Sequence, residues 1–200
     1  SIIPMDALAS LARERVTVAL SGDGADEIFA GYPTYTADKL HRFLAPLPRP
    51  LKRLAHAAAQ ALPASFGKVS LDYKLKQFTA GLTMPFEQAH AWWRTIFAPQ
   101  ALGGILHEDI REQVLTTDPF ADFAAFFQDV EDCHYLDQAM YVDAKTWLVD
   151  DILVKVDRST MAHSLEARAP FLDYRVVEFA ASLPVEWKMK GFAKKWFLKE

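Results

Sequence analysis

Val16-Thr-Val-Ala-Leu20 runs straight into Ser21-Gly-Asp-Gly-Ala-Asp-Glu27. Aliphatic and β-branched residues with no polar alternation beyond Thr17 predict a strand covered on both faces, as in the parallel sheet of an α/β domain. Gly22 and Gly24 let the backbone turn and leave room for a ligand beside the main chain. From Ala25 onward Ile28, Phe29 and Tyr32 fall at helical spacing, which predicts a helix whose first turn has free N–H groups and a partial positive charge. Anions bind at such ends, and ligands of open α/β sheets collect beyond the carboxyl ends of strands. The sequence thus points to a site at residues 21–27.

Asp23, Asp26 and Glu27 would repel a phosphate unless a divalent cation stood between them. Magnesium supplies such a bridge, taking one or two carboxylates plus phosphate oxygens. The loop is not a Walker A motif, because no Gly-Lys-Ser/Thr follows its glycines, and it misses the calcium-loop spacing. Ser21 is not in a Gly-x-Ser-x-Gly elbow either, since Ala19 and Leu20 precede it. The competing reading is an Asp/Gly turn whose Asp26 and Glu27 favour the helix start through its dipole.

Composition narrows the class. The chain has 200 residues, 51% of them hydrophobic, enough for a sizeable core in one or two domains. A net charge of −4 gives no broad basic field, which disfavours nucleic acid as a partner. Cys133 is the single cysteine, so an intrachain disulfide or Cys-cluster metal site is excluded and a reducing, cytoplasmic setting fits. No apolar run reaches membrane-spanning length, and no membrane partner is expected. Ser1 is not a translation start, there is no secretory signal, and Lys199-Glu200 follow an amphipathic run without a stop signal. The expectation is a piece of a longer protein.

Between the ends the chain reads as helix after helix. A short helix is predicted over 5–12, and one or two over 25–44 with a break at Pro33. Pro46-Leu-Pro-Arg-Pro50 reads as a stiff connector before an alanine-rich helix at 51–62. Leu71, Leu75 and Phe78 repeat at helical spacing, as do Phe86, His90, Trp93 and Phe97. Residues 120–127 are strongly aromatic, and Leu136, Met140, Ala144, Trp147 and Leu148 line one face of a long helix. Aromatic stripes of this kind are core, and His90 is expected to be a satisfied core histidine.

Two further regions carry charge. Asp151, Lys155, Asp157, Arg158 and His163 thread an apolar helical pattern that runs on to Glu166-Ala-Arg-Ala-Pro-Phe-Leu-Asp173. Asp151 and Lys155 suit a helical pair on a solvated face. Glu166 and Arg168, two apart beside Pro170, Phe171 and Leu172, are expected to brace a site as an Arg–carboxylate network, with Lys155 or Arg158 reaching substrate. At the basic end, Lys188, Lys190 and Lys199 are expected on a solvated surface. Gly191 is expected to start a helix that aims Lys194 or Lys195 at an anionic ligand, as a point charge suited to phosphate.

In order and spacing, residues 21–32, the block 151–173 and the stretch 191–199 resemble the synthetase domain of glutamine-hydrolysing asparagine synthetases, class II amidotransferases of the asparagine synthase family. The resemblance spans nearly the whole chain, although 36–130 carry little motif. It implies an α/β ATP-pyrophosphatase fold in the parent protein, with these residues as the C-terminal part of the synthetase domain. It also implies a ligase in which the aspartate side-chain carboxylate attacks the α-phosphorus of MgATP. β-Aspartyl-AMP and pyrophosphate form, and ammonia derived from glutamine displaces AMP to give asparagine. Catalysis would rest on positioning and charge stabilisation. Asp26 resembles the residue associated with the pyrophosphate-bound magnesium. Ser21, Gly22 and Gly24 resemble loop residues near nucleotide and acyl substrate. Lys195, four residues after Gly191, resembles the lysine that stabilises charge on the α-phosphate, ahead of Lys194. Glu27, Glu166 and Arg168 would be structural supports.

The family often has Glu where this chain has Asp23, a residue thought to face the substrate amine or incoming ammonia. That shorter carboxylate keeps related amidotransferases open, including enzymes acting on sugar acids and β-lactam synthetase-like cyclases, with a non-catalytic helical scaffold as the rival of another class. The family's Ser-Gly-Gly-x-Asp-Ser pyrophosphate loop and its N-terminal cysteine glutaminase domain are absent from these residues and are expected upstream. Alone, the 200 residues should neither hydrolyse glutamine nor bind MgATP at micromolar affinity. They should be predominantly α-helical with one clear strand, and residues 16–20 should be an orphaned edge whose exposed apolar surface makes self-association, such as a homodimer, plausible.

Overall fold

In the computed structural model, which describes residues 2–63, 70–97 and 99–200, the chain opens with helix α1 (Ile2–Arg13). The strand read at 16–20 forms over its second half as β1 (Val18–Leu20). A one-turn helix α2 (Ala25–Ile28) follows, and then α3 (Pro33–Leu44). Pro33 opens α3 instead of breaking a longer helix, because the fixed φ of proline suits a first turn whose N–H would be unpaired anyway. The middle supplies α4 (Arg49–Gln60), α5 (Leu71–Gly81), α6 (Phe86–Arg94), α7 (Pro99–Ile105), α8 (Glu108–Thr116) and α9 (Ala121–Gln128). Phe97 falls outside its expected helix, since α6 stops at Arg94.

The long helix expected around 136–148 is interrupted. Helix α10 (Tyr135–Lys145) ends where the Thr146 hydroxyl donates to the Val142 carbonyl oxygen at 2.7 Å. Such back-bonding competes with the helical ladder and bends it. The backbone then widens into a π-turn at Leu148–Leu153 before α11 (Val154–Met161). Beyond it lie β2 (Glu166–Arg168), a 3-10 turn at Pro170–Leu172, α12 (Tyr174–Ser182), α13 (Val185–Lys188), β3 (Met189–Lys190), β4 (Ala193–Lys194) and α14 (Trp196–Lys199). Asp173 caps α12, its carboxylate accepting from the Arg175 N–H at 3.0 Å.

Predominantly helical is correct, but one strand was too few. β1 pairs in parallel with β2, Leu20 opposite Arg168, and β3 pairs antiparallel with β4. Coverage of β1 on both faces is also corrected: Val18 is 39% exposed and Leu20 75%, as an orphaned edge would be. Gly191 does not start a helix. It sits at φ 60 in the turn between β3 and β4, a left-handed conformation that glycine adopts without Cβ strain.

The contacts divide the described residues into two compact units, one formed by those up to Tyr35 with Val130–Glu200, the other by those within Thr36–Asp129. In the first unit Ile28, Phe29 and Ala180 form a buried cluster with Phe171, Val176, Val177, Leu183 and Phe197 against it. In the second, Asp38 and His90 are fully buried, with His90 Nδ1 2.8 Å from Asp38 Oδ2. The Trp93 indole N–H donates to Asp38 Oδ1 at 2.9 Å. His90 is thus a satisfied core histidine, edge-on to Phe127. No helix among the described residues is long and apolar enough to cross a membrane.

Candidate functional site

Strand pairing carries the 166–172 segment to the loop. Beside the Leu20–Arg168 register, the Ser21 N–H donates to the Arg168 carbonyl oxygen at 2.8 Å, so the ladder continues one residue into the loop. The Ser21 hydroxyl oxygen is buried and has no hydrogen-bond partner within the described residues, a position that a ligand would satisfy. Gly24, at φ 88, makes the turn into α2, and a Cβ there would run into the Leu172 side chain. Gly22, by contrast, faces open space. The two glycines therefore differ: Gly24 serves the fold, and Gly22 leaves the loop backbone approachable.

With only one turn, α2 has little dipole, and Asp26 and Glu27 occupy that turn. A cation reaches the loop from elsewhere in the chain. Lys195 Nζ lies 2.9 Å from Asp26 Oδ1, and the Lys195 N–H donates to the Phe29 carbonyl oxygen at 3.2 Å. Lys195 itself is left-handed at φ 52, just before α14. The hairpin β3–β4 and this strained residue, not a helix begun at Gly191, bring the lysine to the loop. Phe197 stacks on Phe29 with ring centroids 6.0 Å apart, and Phe171 meets the same ring edge-on at 6.2 Å, so all three motif regions converge on one aromatic side chain.

Gly31 completes this arrangement, because a Cβ at that position would overlap both the Asp26 carboxylate and Lys195 Cε. The end of α2 is closed by the Gly31 N–H donating to the Asp26 carbonyl oxygen at 2.8 Å, with buried Ala30 left-handed at φ 54. This is the geometry of a glycine-type C-cap carrying alanine. Sequence reasoning missed Gly31, although a glycine just past a helix was a readable stop signal.

Beneath the loop Glu27 is 1% exposed and accepts a hydrogen bond from the Tyr32 hydroxyl at 2.5 Å. Burial pushes its carboxyl above the ordinary carboxylate value, the Tyr32 bond opposes that, and the charges of Asp26 and Asp143 add to it. Asp143, fully buried on α10, was also missed by sequence reasoning. Glu27 is thus buried at the position where the resemblance implies a support.

The remaining candidates separate. Asp23 is half-buried in the turn before α2. Lys155 Nζ is 2.9 Å from Asp151 Oδ2 in a helical pair, with the Lys155 side chain 17% exposed and that of Asp151 45%, and Arg158 is exposed on the same helix. Helix α11 packs chiefly on α1, the π-turn and β2. Glu166 and Arg168 do pair, at 2.7 Å, but with side chains 56% and 63% exposed. The expectation that this pair is desolvated fails because alternate residues of β2 point to one open face. Lys188 is the opposite case: expected on the surface, it is 1% exposed and donates to Asp137 Oδ1 at 2.7 Å. Lys190 Nζ lies 4.3 Å from the centre of the Trp196 ring.

Among the described residues no three His, Cys, Asp or Glu side chains gather as a metal cage. A lone accessible carboxylate at Asp26 still fits magnesium, which takes one or two protein carboxylates and fills its shell with phosphate and water. The Asp26–Lys195 pair is partly exposed, at 38% and 28%, and such a pair is worth only about 0–1 kcal/mol, so a ligand can displace it cheaply.

Comparison with known proteins agrees with the three-motif reading. The asparagine synthase family model matches residues 1–200. The chain is 33% identical over 204 residues to asparagine synthetase [glutamine-hydrolyzing] 1 of Bacillus subtilis, covering 99% of this chain and 30% of that protein. A putative glutamine-hydrolyzing asparagine synthetase of Mycobacterium tuberculosis is 32% identical over 207 residues, covering 100% of this chain and 29% of its own length. An amidase of Gibberella zeae is 25% identical over 200 residues, covering 90% of this chain. No solved structure matches. The chain spans about 30% of the length of these asparagine synthetase relatives. It belongs to the asparagine synthase family.

Proposed function

We propose that these residues are the C-terminal part of the synthetase domain of an ATP-dependent, glutamine-hydrolysing asparagine synthetase with the ATP-pyrophosphatase fold, acting in the cytoplasm. Aspartate's side-chain carboxylate oxygen attacks the α-phosphorus of ATP, the bond to the bridging oxygen breaks, and pyrophosphate leaves. Ammonia then attacks the acyl carbon, AMP departs, and a proton is released with asparagine. The single observation that carries this reading is the Asp26–Lys195 pair, a carboxylate and an ammonium held 2.9 Å apart on an approachable glycine loop.

In this account Asp26 holds magnesium, which when bound neutralises the charge of the pyrophosphate oxygens. Lys195 exchanges its partner for the phosphate, as a point charge where negative charge develops. The Ser21 hydroxyl, buried and unpartnered within the described residues, supplies a hydrogen bond to nucleotide or acyl substrate. Asp23 stands on the acceptor side, and Lys155 and Arg158 contribute only if the assembled protein brings α11 to the substrate. The pyrophosphate loop and glutaminase domain lie in the rest of the protein.

The test is isotope exchange between pyrophosphate and ATP in the full-length protein. Aspartate-dependent exchange, lost in Asp26→Asn, is the expected result. Exchange that depends on another carboxylate, a sugar acid for example, would keep the adenylation chemistry and overturn the substrate.

A further inference from the structure

Arg49, Lys52, Arg53 and His56 follow one another on α4 at i, i+3, i+4 and i+7, a single helical stripe. With the 82–85 turn opposite they line a cavity of about 640 Å³, within the usual range of small-molecule sites. Among the described residues no Asp or Glu lines it, and α4 contains none. Like charges four apart destabilise a helix, and cations in its first turn oppose the macrodipole. In a chain of net charge −4 this is a local inversion that an anion would relieve.

The walls are already positioned. Half-buried Lys52 donates to the Ala45 carbonyl oxygen at 2.9 Å, holding Nζ in place. The Thr79 hydroxyl donates its proton to the Leu75 carbonyl oxygen at 2.7 Å, so His56 Nδ1, 3.1 Å from the Thr79 hydroxyl oxygen, is the donor to that hydroxyl. Across the cavity His41 Nε2 lies 3.1 Å from the Met84 carbonyl oxygen and pins the turn. Two guanidinium forks and one ammonium suit the oxygens of phosphate, and the apolar wall from Leu82 to Pro85 leaves room for an organic group.

We propose that this cavity in the helical unit binds a small phosphate-bearing anion, at a site made by residues other than those of the 21–31 loop. The inference does not rest on the proposed adenylation chemistry. Calorimetric titration of inorganic pyrophosphate into the full-length protein tests it, with sulfate at matched ionic strength as the control. Arg49→Ala/Arg53→Ala changes two exposed residues and relieves repulsion, so folding should survive and is checked by circular dichroism. One binding component should weaken by about tenfold or more in that variant and persist in Lys195→Ala, which removes the loop's cation. The proposal is overturned if the double variant titrates like the parent, or if sulfate binds as well as pyrophosphate. Absence of aspartate-dependent exchange would defeat the functional reading while leaving this component in place.

Discussion

Glu27 and Asp38 are both buried carboxylates, one beneath the acidic loop and the other in the helical unit, and their surroundings differ in kind. Asp38 meets His90 Nδ1 and the Trp93 indole N–H, one on each oxygen, so donors surround it. Glu27 accepts from Tyr32 but also faces the charges of Asp26 and Asp143, which raise its pKa together with burial. A carboxylate matched by donors locks a core. One set among other carboxylates keeps a region electrostatically tense, and such tension gathers at functional sites.

The largest expected effect is on the Asp38 side. Asp38→Ala leaves His90 and Trp93 without their buried acceptor and should cost about 3–5 kcal/mol in urea unfolding, the range for breaking a buried pair. A loss within the scatter of surface substitutions would erase the contrast with Glu27. On the loop side, Gly31→Ala should push Asp26 and Lys195 apart while leaving the helical unit folded. A displacement of about 1 Å costs on the order of 100-fold in activity, so aspartate-dependent AMP formation should fall by that much with unfolding little changed. Wild-type activity in Gly31→Ala would mean that the pair has room to spare.

Ala30→Gly probes the same cap with the opposite sign. Relieving a left-handed alanine at φ 54 should stabilise the protein by about 1 kcal/mol, read as a raised urea midpoint. The smallest effect is a pH slope. Because the Glu27 pKa is raised, its protonated form is favoured in the folded state, and this contribution fades as pH rises from the ordinary carboxylate value of 4.5 through the raised one. Glu27→Gln keeps an acceptor for Tyr32 and removes the titration, so its stability should fall less between pH 4 and neutrality than that of the parent. Identical slopes would mean that Glu27 does not titrate with folding.

Much of this was legible in the residues. The strand-to-loop transition, the helical spacing of the middle and the buried role of His90 follow from local pattern, and local pattern is what a sequence displays. β2 was not legible, because Glu-Ala-Arg has no strand signature until Leu20 lies beside it. Lys188 was misread for the same reason: its burial depends on Asp137, 51 residues away. Lys195 was expected on a helix begun at Gly191, whereas the Gly191 turn and the register of β3 with β4 set its place. Side chains whose place is set by distant partners are the ones local spacing cannot assign.

The central claim is that Lys195 serves the reacting phosphate and not merely the Asp26 ion pair. Single-turnover release of AMP and pyrophosphate from MgATP and aspartate, compared between the full-length protein and its Lys195→Ala variant, tests it most directly. The account predicts aspartate-dependent release that falls by about 100-fold or more in the variant, the scale of removing a charge-stabilising donor, with substrate binding largely kept. Undiminished release from Lys195→Ala would contradict it.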